Sequence, residues 1–536
     1  WPILHDPGFP RMLHGMRRFV FWAMAWGALT AMLSATPEPA DVAVLYNSAS
    51  PESKKLAEIY RDARHIPQEN LIGLPMPDQQ DITREQYDQA IRNPLRGEFR
   101  QRGWVQLGKD STGIILPVKN KIRILVTMRG VPLRIQPAPS TAVATPQNPI
   151  AGRNEASVDS ELAVFAVEGL PIDGLLKNQF FQSSLSITEQ NFPYIVLTAR
   201  IDAPHFETCE RMIRDAIETE KTGLWGRAYI DIANKVPEGD KWLEDVAEMN
   251  RAAGIPTVVD KFNDTLPKNY PATEAALYYG WYDWNVSGPF LATEFRFRKG
   301  AVAMHLHSFS AEQLRDGNKN WSGALLERGA AVTIGNVYEP YLHLTHHFAV
   351  IQKALLAGHT WVEAAWMAMP ASSWQGVVLG DPLYRPYLHL DGSGERQQAD
   401  VEYRALRAAM LEWPEDAAKR RSEINSAAER MPSGTLAEAV GLEYLAEGRA
   451  GEAAESFRMA KRLYVFTADR VRQDIHLIAI DRAAERKPQA VQALREAKAK
   501  YGPVPAAEAL QGWLDILDPP PPPLADPTKN PPVPKS

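Results

Sequence analysis

The residues whose types could do chemistry are densest in Met304-His305-Leu306-His307-Ser308-Phe309-Ser310-Ala311. The stretch closes an apolar run of strand type. In a strand, His305 and His307 share one face, because side chains alternate with period two. Ser308 and Ser310 follow at the strand-to-loop junction. Three uses fit these residue types. A nucleophilic site takes Ser308 or Ser310, with His307 as base and a carboxylate such as Asp283 or Glu339 to orient it. A metal site takes His305 and His307 with His343 and His347, whose i, i+4 spacing suits one face of a helix, and zinc is the ion such a set selects. The third use involves no reaction: the histidines are satisfied by hydrogen bonds in or near the core.

Other polar residues fall where strands end. Asn47 and Ser48 follow an apolar run at 42–46, and Arg129 follows another at 122–128. Arg200 and Asp202 follow a run at 194–198, Asp231 nearly ends one at 227–232, and Glu339 and Tyr341 follow one at 330–334. Asp159 and Glu161 follow a long loop, where Asp159 suits a helix cap as well as a site. Taken singly, each reads as an ion pair or cap. If all the strands point one way, these side chains share one edge and line a polar cleft. Trp281, Tyr282 and Asp283 belong to the densest aromatic cluster, residues 278–284, which suits either core packing or stacking against a sugar or peptide.

The elements that must position these groups alternate strand and helix over the first two-thirds of the chain. Helical periodicity covers 52–65, 83–102, 205–217 and 240–253. Thr83 with Gln86 three residues on has capping-box spacing. Such alternation predicts an α/β domain over 41–390, with a mainly parallel sheet covered by helices on both faces. Ligands on such sheets bind beyond the carboxyl ends of the strands. Residues 136–152, rich in Pro, Ala and Thr, read as a long exposed loop. After 390 the composition turns to Ala, Glu and Arg with helical periodicity, giving a second domain over 400–516. Residues 441–460 resemble one tetratricopeptide-type hairpin, and a plain helical bundle fits equally well. Residues 517–536 are Pro-rich and read as disordered.

Met16-Arg17-Arg18, an apolar run over 19–33 and Leu33-Ser34-Ala35 form the three parts of an export signal cleaved before Thr36. The run is short for a bilayer span, and an uncleaved anchor is the alternative. No further segment is long and apolar enough to span a membrane. The expected location is periplasmic or extracellular. Residues 1–35, signal and upstream stretch together, stand apart from the fold. The 536 residues carry a net charge of -6 and one cysteine, Cys209. Neither a polyanion-binding surface nor an internal disulfide follows from those numbers. No phosphate-binding loop, dinucleotide fingerprint or nucleophile elbow is present, and basic and aromatic residues are not interleaved as in nucleic-acid binders.

Two resemblances bear on this reading. Tyr46-Asn47-Ser48 with Ser50-Pro51-Glu52-Ser53, Ser157-Val158-Asp159-Ser160-Glu161, His305 through Ala311, Gly335-Asn336-Val337-Tyr338-Glu339-Pro340-Tyr341 and Gly380-Asp381-Pro382-Leu383-Tyr384-Arg385-Pro386 resemble an uncharacterised exported bacterial family. That family is associated with genomes encoding the exosortase sorting system, and the likeness spans about 41–387. It implies no activity. More remotely, the layout is similar to gingipain-type cysteine peptidases, which implies a caspase-like three-layer α/β fold. In that likeness Trp281 stands where those enzymes have the catalytic His, and His307-Ser308-Phe309-Ser310 stands where they have the Cys. Residues 329–335, Gly380-Asp381-Pro382 and Arg200 match in place. A thiolate–imidazole pair is therefore missing. The resemblance implies either a binding protein for a cell-envelope peptide or glycan, or a hydrolase remodelled around Ser308 and His307. The helical domain offers a surface for a protein partner.

Overall fold

The computed structural model describes residues 36–262 and 265–520. The export-type segment and the tail beyond 520 lie outside the described residues. The chain forms a mixed α/β domain followed by a helical bundle. Ten strands build its two main sheets: β1 Val42–Asn47, β2 Leu71–Leu74, β3 Ile124–Met128, β4 Leu197–Ile201, β5 Arg227–Asp231, β6 Thr257–Asp260, β7 Ala275–Gly280, β8 Val302–His305, β9 Thr333–Asn336 and β10 Gly376–Leu379. One sheet has the order β9-β10-β4-β3-β1-β2, and the other β6-β5-β7-β8. A parallel bridge between Val302 and Val332 joins β8 to the start of β9. The two sheets thus meet edge to edge.

Strand direction is kept across this join and reverses one strand further on, between β9 and β10. β5 to β8 run parallel to one another, and the Val302–Val332 bridge continues that direction into β9. β10 is antiparallel to β9, while β4, β3, β1 and β2 follow β10 in parallel. The carboxyl ends of β1 to β4 therefore lie on the edge opposite the carboxyl ends of β5 to β9. The expectation of one shared edge is corrected by β10, a short Gly-Val-Val-Leu strand that the sequence reading left without an element. The first long helix after β4, Phe206–Thr222, agrees with this geometry. Its Arg211 donates to the carbonyls of Gly329 and Ala330 before β9, and its Thr219 lies against Gly300 before β8. It runs along the sheet's edge rather than back over a face.

Alternation along each strand divides the interior. Val42 and Val44 join one apolar cluster, which also takes Leu277, Tyr279, Val302 and Met304, so a single core runs under both halves of the joined sheet. Ala43 and Leu45 face the other way, into a core closed by the helical stretch at 84–101. Thr83 opens that stretch with the expected capping box. On the second half the opposite face, with Ala301 and Ala303, has no crossover helix to cover it among the described residues between β6 and β7. The helical bundle fills that role: Leu442, Phe457, Val471, Ile475 and Trp513 share its core.

The bundle is a series of helices, Val401–Glu412, Ala417–Arg430, Gly434–Ala446, Ala450–Leu463, Thr467–Ala483, Lys487–Tyr501 and Glu508–Leu517. The hairpin anticipated over 441–460 is real and is followed by a second. A buried ion cluster ties the bundle to the sheet. Glu438 accepts from Arg472 at 2.7 Å and pairs with Arg227 of β5 at 3.2 Å, and all three are fully buried. The two guanidinium groups hold the Glu438 carboxyl well below its usual range against the opposing pull of burial. No described helix is long and apolar enough to cross a membrane.

Candidate functional site

The edge at the carboxyl ends of β7, β8 and β9 carries the residues singled out first. His305 ends β8 fully buried, its ring stacked on Trp321 with centroids 3.4 Å apart. Its Nε2 accepts the Asp283 N–H at 3.1 Å, so Nδ1 carries the proton and donates to the Tyr278 hydroxyl at 3.0 Å. Tyr278 in turn donates to Asp231 Oδ2 at 3.2 Å. Burial pushes the His305 imidazole well below its ordinary range and the Asp231 carboxyl well above its own, the latter helped by the neighbouring Asp260 carboxyl. This chain of bonds pins the aromatic loop after β7 to the sheet. It leaves His305 no free nitrogen for a metal.

His307 lies two residues further out. Its Nδ1–H donates to the carbonyl of Ser308. The ring sits between Tyr282, 4.7 Å away, and Trp284, 4.9 Å away, and burial lowers its basicity. The Ser308 hydroxyl donates to Glu339 Oε2 at 2.6 Å, and Glu339 Oε1 accepts the Tyr341 N–H at 3.0 Å. Arg153, at the end of the Pro-rich loop, donates to the Glu339 carbonyl at 2.9 Å and lies over the Tyr341 ring. Lys235 donates to the Tyr282 carbonyl at 3.2 Å. Tyr282 and Trp284 are 41% and 52% exposed. His307, Ser308, Tyr282, Asp283, Glu339 and Tyr341 thus come together as the sequence suggested. Lys235, Arg153 and Phe309 were missed. Arg153 stands outside the strand ends, whereas Lys235, just past β5, and Phe309, whose ring centroid lies 5.7 Å from that of Trp284, sit where strand ends place side chains. Trp284 was seen only as part of the aromatic cluster.

Three of the first-named residues play other parts. Ser310 is buried, and its Oγ accepts the Asn336 N–H at 3.0 Å, so it fastens β9 to the loop after β8. His343 and His347 do not share a helix. His343 is exposed in a single 3-10 turn, Leu342–Leu344, and His347 caps the helix Phe348–Leu356 while stacking on Trp242. The chain kinks between them at Thr345-His346, where Asn336 binds Thr345. The four histidines do not converge. Among the described residues no group of three His, Cys, Asp or Glu side chains is placed to hold a metal ion. Trp281 is buried with its indole N–H on Asp240 at 2.7 Å.

The remaining cleft candidates lie on the opposite edge or inside. Arg200 is the fourth residue of β4 rather than a residue beyond it, and it is fully buried. It donates to Asp159 at 2.9 Å, to Asp202 at 3.3 Å and to the carbonyls of Val131 and Pro132. Thr127 donates to the other Asp159 oxygen at 2.8 Å. Asp202 also takes Arg315. The helix at Val158–Leu162 is capped by Ser157, not by Asp159. Glu161 pairs with Arg84 and accepts from Ser373. Arg129 pairs with Glu52 and donates to two backbone carbonyls. Asn47 is a rivet: its Oδ1 accepts from the Ala49 and Met76 N–H groups and its Nδ2 donates to Met76 and Gly130. Ser48 is exposed beside it. Cys209 is buried in the edge helix, and burial pushes its thiol far above the ordinary range, so it is no nucleophile.

Set against known protein families, curated sequences and solved structures, the chain matches none of them. The site stands on its own geometry. It offers exposed ring faces, a neutral imidazole with one free nitrogen, and a carboxylate, Glu339, that accepts from a hydroxyl and a backbone N–H.

Proposed function

We propose that the protein is an exported, noncatalytic binding or assembly protein of a cell-surface or exopolysaccharide system, seating a peptide or glycan of the cell envelope on the edge formed by β7, β8 and β9. The observation that carries this reading is where the Ser308 proton points. A serine nucleophile of the Ser-His type needs its hydroxyl hydrogen-bonded to an imidazole nitrogen that can take the proton. Here that hydrogen goes to Glu339, His307 Nδ1 is spent on the Ser308 carbonyl, and no hydrogen bond joins the Ser308 hydroxyl to the His307 ring. What remains is a set of ring faces and hydrogen-bonding groups, which suits recognition.

The proposal includes a caspase-like ancestry for the α/β domain. Its support is the order of landmarks along neighbouring strands. Trp281 follows β7, His307 and Ser308 follow the adjacent β8, residues 329–335 lead into β9, and Gly380-Asp381-Pro382 follows β10. Export rests on the Arg17-Arg18 pair and the apolar run after it.

The test is direct. The purified protein should resist labelling by a fluorophosphonate serine probe and should leave peptide and oligosaccharide substrates intact. Turnover that disappears on Ser308→Ala would replace this reading with the remodelled hydrolase. Turnover removed by chelation and restored by zinc would replace it with a metal hydrolase.

A further inference from the structure

Resting on that binding reading, we infer that the ligand of this edge is a neutral oligosaccharide, stacked on Trp284 and Tyr282 and read by Glu339, Ser308 and the free nitrogen of His307. Three independent observations select it.

The first concerns backbone recognition. Extended peptides bind sheets by adding a strand to an open edge. β7 pairs with β5 and β8, and β8 pairs with β7 and bridges to β9. Both strands beneath the site are interior, so no unpaired row of N–H and C=O groups faces a ligand there. The open edge strands, β2 and β6, lie at the far ends of the joined sheet. A peptide at this site would leave its own backbone groups without the partners that give such complexes their affinity.

The second concerns the rings. Trp284 is the one tryptophan among the described residues with more than a third of its surface exposed, and Tyr282 beside it is nearly as open. A large apolar ring held at a polar edge, with its loop pinned through Asp283 and His305, is a rigid stacking surface. Sugar rings present faces of C–H groups to such surfaces and hydroxyls around their rim, so the aromatic residues and polar groups that line the site match both parts of one ligand.

The third concerns charge. Among the described residues neither Glu339 nor Asp283 has an ion-pair partner within 4.0 Å; the cations beside them are Lys235, 5.3 Å from the Tyr282 ring centre, and Arg153, which is neutralised by Glu155 at 2.5 Å. Three carboxylates, Glu339, Asp283 and Glu155, against the two cations Lys235 and Arg153 leave the edge net negative, which disfavours uronates and sulfated sugars. Glu339 and Nε2 of the largely buried His307 keep lone pairs that no protein donor takes, beside the hydroxyl and indole N–H donors of Tyr282 and Trp284. Hydroxyl groups donate to those lone pairs without bringing a net charge.

The experiment uses the full chain on a printed array of neutral and acidic oligosaccharides with gluco, manno and galacto configurations, alongside an array of decapeptides. Hits are then titrated by tryptophan fluorescence. Neutral oligosaccharides should bind, with affinity unchanged between low and high salt, since screening acts only between charges. Trp284→Ala should weaken binding about tenfold, the scale of one aromatic contact. Tyr282→Ala and Glu339→Gln should each weaken it severalfold, while the melting temperature stays that of the parent. Binding to decapeptides and not to sugars overturns the inference and leaves the binding reading standing. A preference for acidic sugars, or neutral binding that survives both aromatic substitutions, overturns the inference as well. Two blank arrays overturn both.

Discussion

The two edges of the joined sheet are built from similar residue types and treat them oppositely. At the carboxyl ends of β3 and β4, Arg200, Asp159, Asp202 and Arg315 form a network in which every charge meets an opposite one, and Arg200, Asp159 and Asp202 are closed to water. At the carboxyl ends of β7 and β8, Glu339 and Asp283 have neutral partners and the aromatic rings stand out into solvent. A buried network must satisfy its charges internally, because an unpaired buried charge costs several kcal/mol. An exposed edge has no such obligation and can keep groups for a ligand. The sequence shows polar residues at both places, and the difference lies in what packs over them. Residues 131–135 and the short helix at 158–162 cover the first edge's network, whereas the second keeps its aromatic loop uncovered.

The largest effect should come from breaking the closed edge. Arg200→Leu leaves Asp159 buried without its ion-pair partner, while Asp202 keeps Arg315. Loss of one member of a buried pair costs roughly 3–5 kcal/mol, so urea unfolding should show a fall of that size. A change below about 1 kcal/mol would mean the two edges do not differ as described. The same unfolding measurement on Trp284→Ala, an exposed residue, should stay within about 0.5 kcal/mol of the parent.

The seam between the halves carries the next effect. His346 is fully buried against Gly376 of β10, and neither ring nitrogen has a partner. Burial alone pushes its imidazole down to about 3. The folded protein therefore holds His346 neutral while the unfolded chain takes up a proton near pH 6.5. With more protons bound in the unfolded state, stability falls as pH drops below 6.5 and goes on falling until about 3, by about 1.4 kcal/mol per pH unit for this group. Asp231 and Asp260 act in the opposite sense. Burial pushes the Asp260 carboxyl up to about 6 and holds the Asp231 carboxyl well above its ordinary range, so both favour the folded state in acid. The parent protein's slope mixes these contributions, and the prediction concerns a difference. His346→Leu should be less sensitive to acid than the parent by close to one proton between pH 6 and 4, read from urea midpoints across pH. Parallel curves would show that His346 is not held neutral.

How much of this was legible in the residues depends on the range of the interaction. Strands such as 257–260 and the Thr83 capping box are local patterns, and they fold as their spacing implies. The gathering of His307, Ser308, Asp283 and Glu339 was also legible, because parallel neighbours bring successive strand ends together. The reversal at β10 was not. Four residues, Gly376 to Leu379, are too short for a periodic signal, yet their pairing sets which edge every other strand end faces. The share of the core supplied by the helical bundle was equally hidden. Nothing in residues 261–274 announces a missing crossover helix, and the bundle's apolar faces read the same whether they pack on each other or on a sheet. The i, i+4 spacing of His343 and His347 misled for a similar reason: spacing places two side chains on one face only where a helix forms, and the bonds of Asn336 to Thr345 break the chain there.

The smallest effect separates two serines that the sequence treats alike. Ser310 and Ser308 lie two residues apart in one motif. The Ser310 hydroxyl oxygen is buried and accepts the Asn336 N–H, so Ser310→Ala strands a buried backbone donor, which costs about 1–3 kcal/mol. Ser308 is partly exposed, and water can take its place as donor to Glu339. Ser308→Ala should therefore change stability by less than about 0.5 kcal/mol. Hydrogen exchange of the Asn336 amide should rise in the first variant and stay unchanged in the second. Equal costs for the two would place both hydroxyls in the closed interior and remove the distinction between the edges at the motif that should show it best.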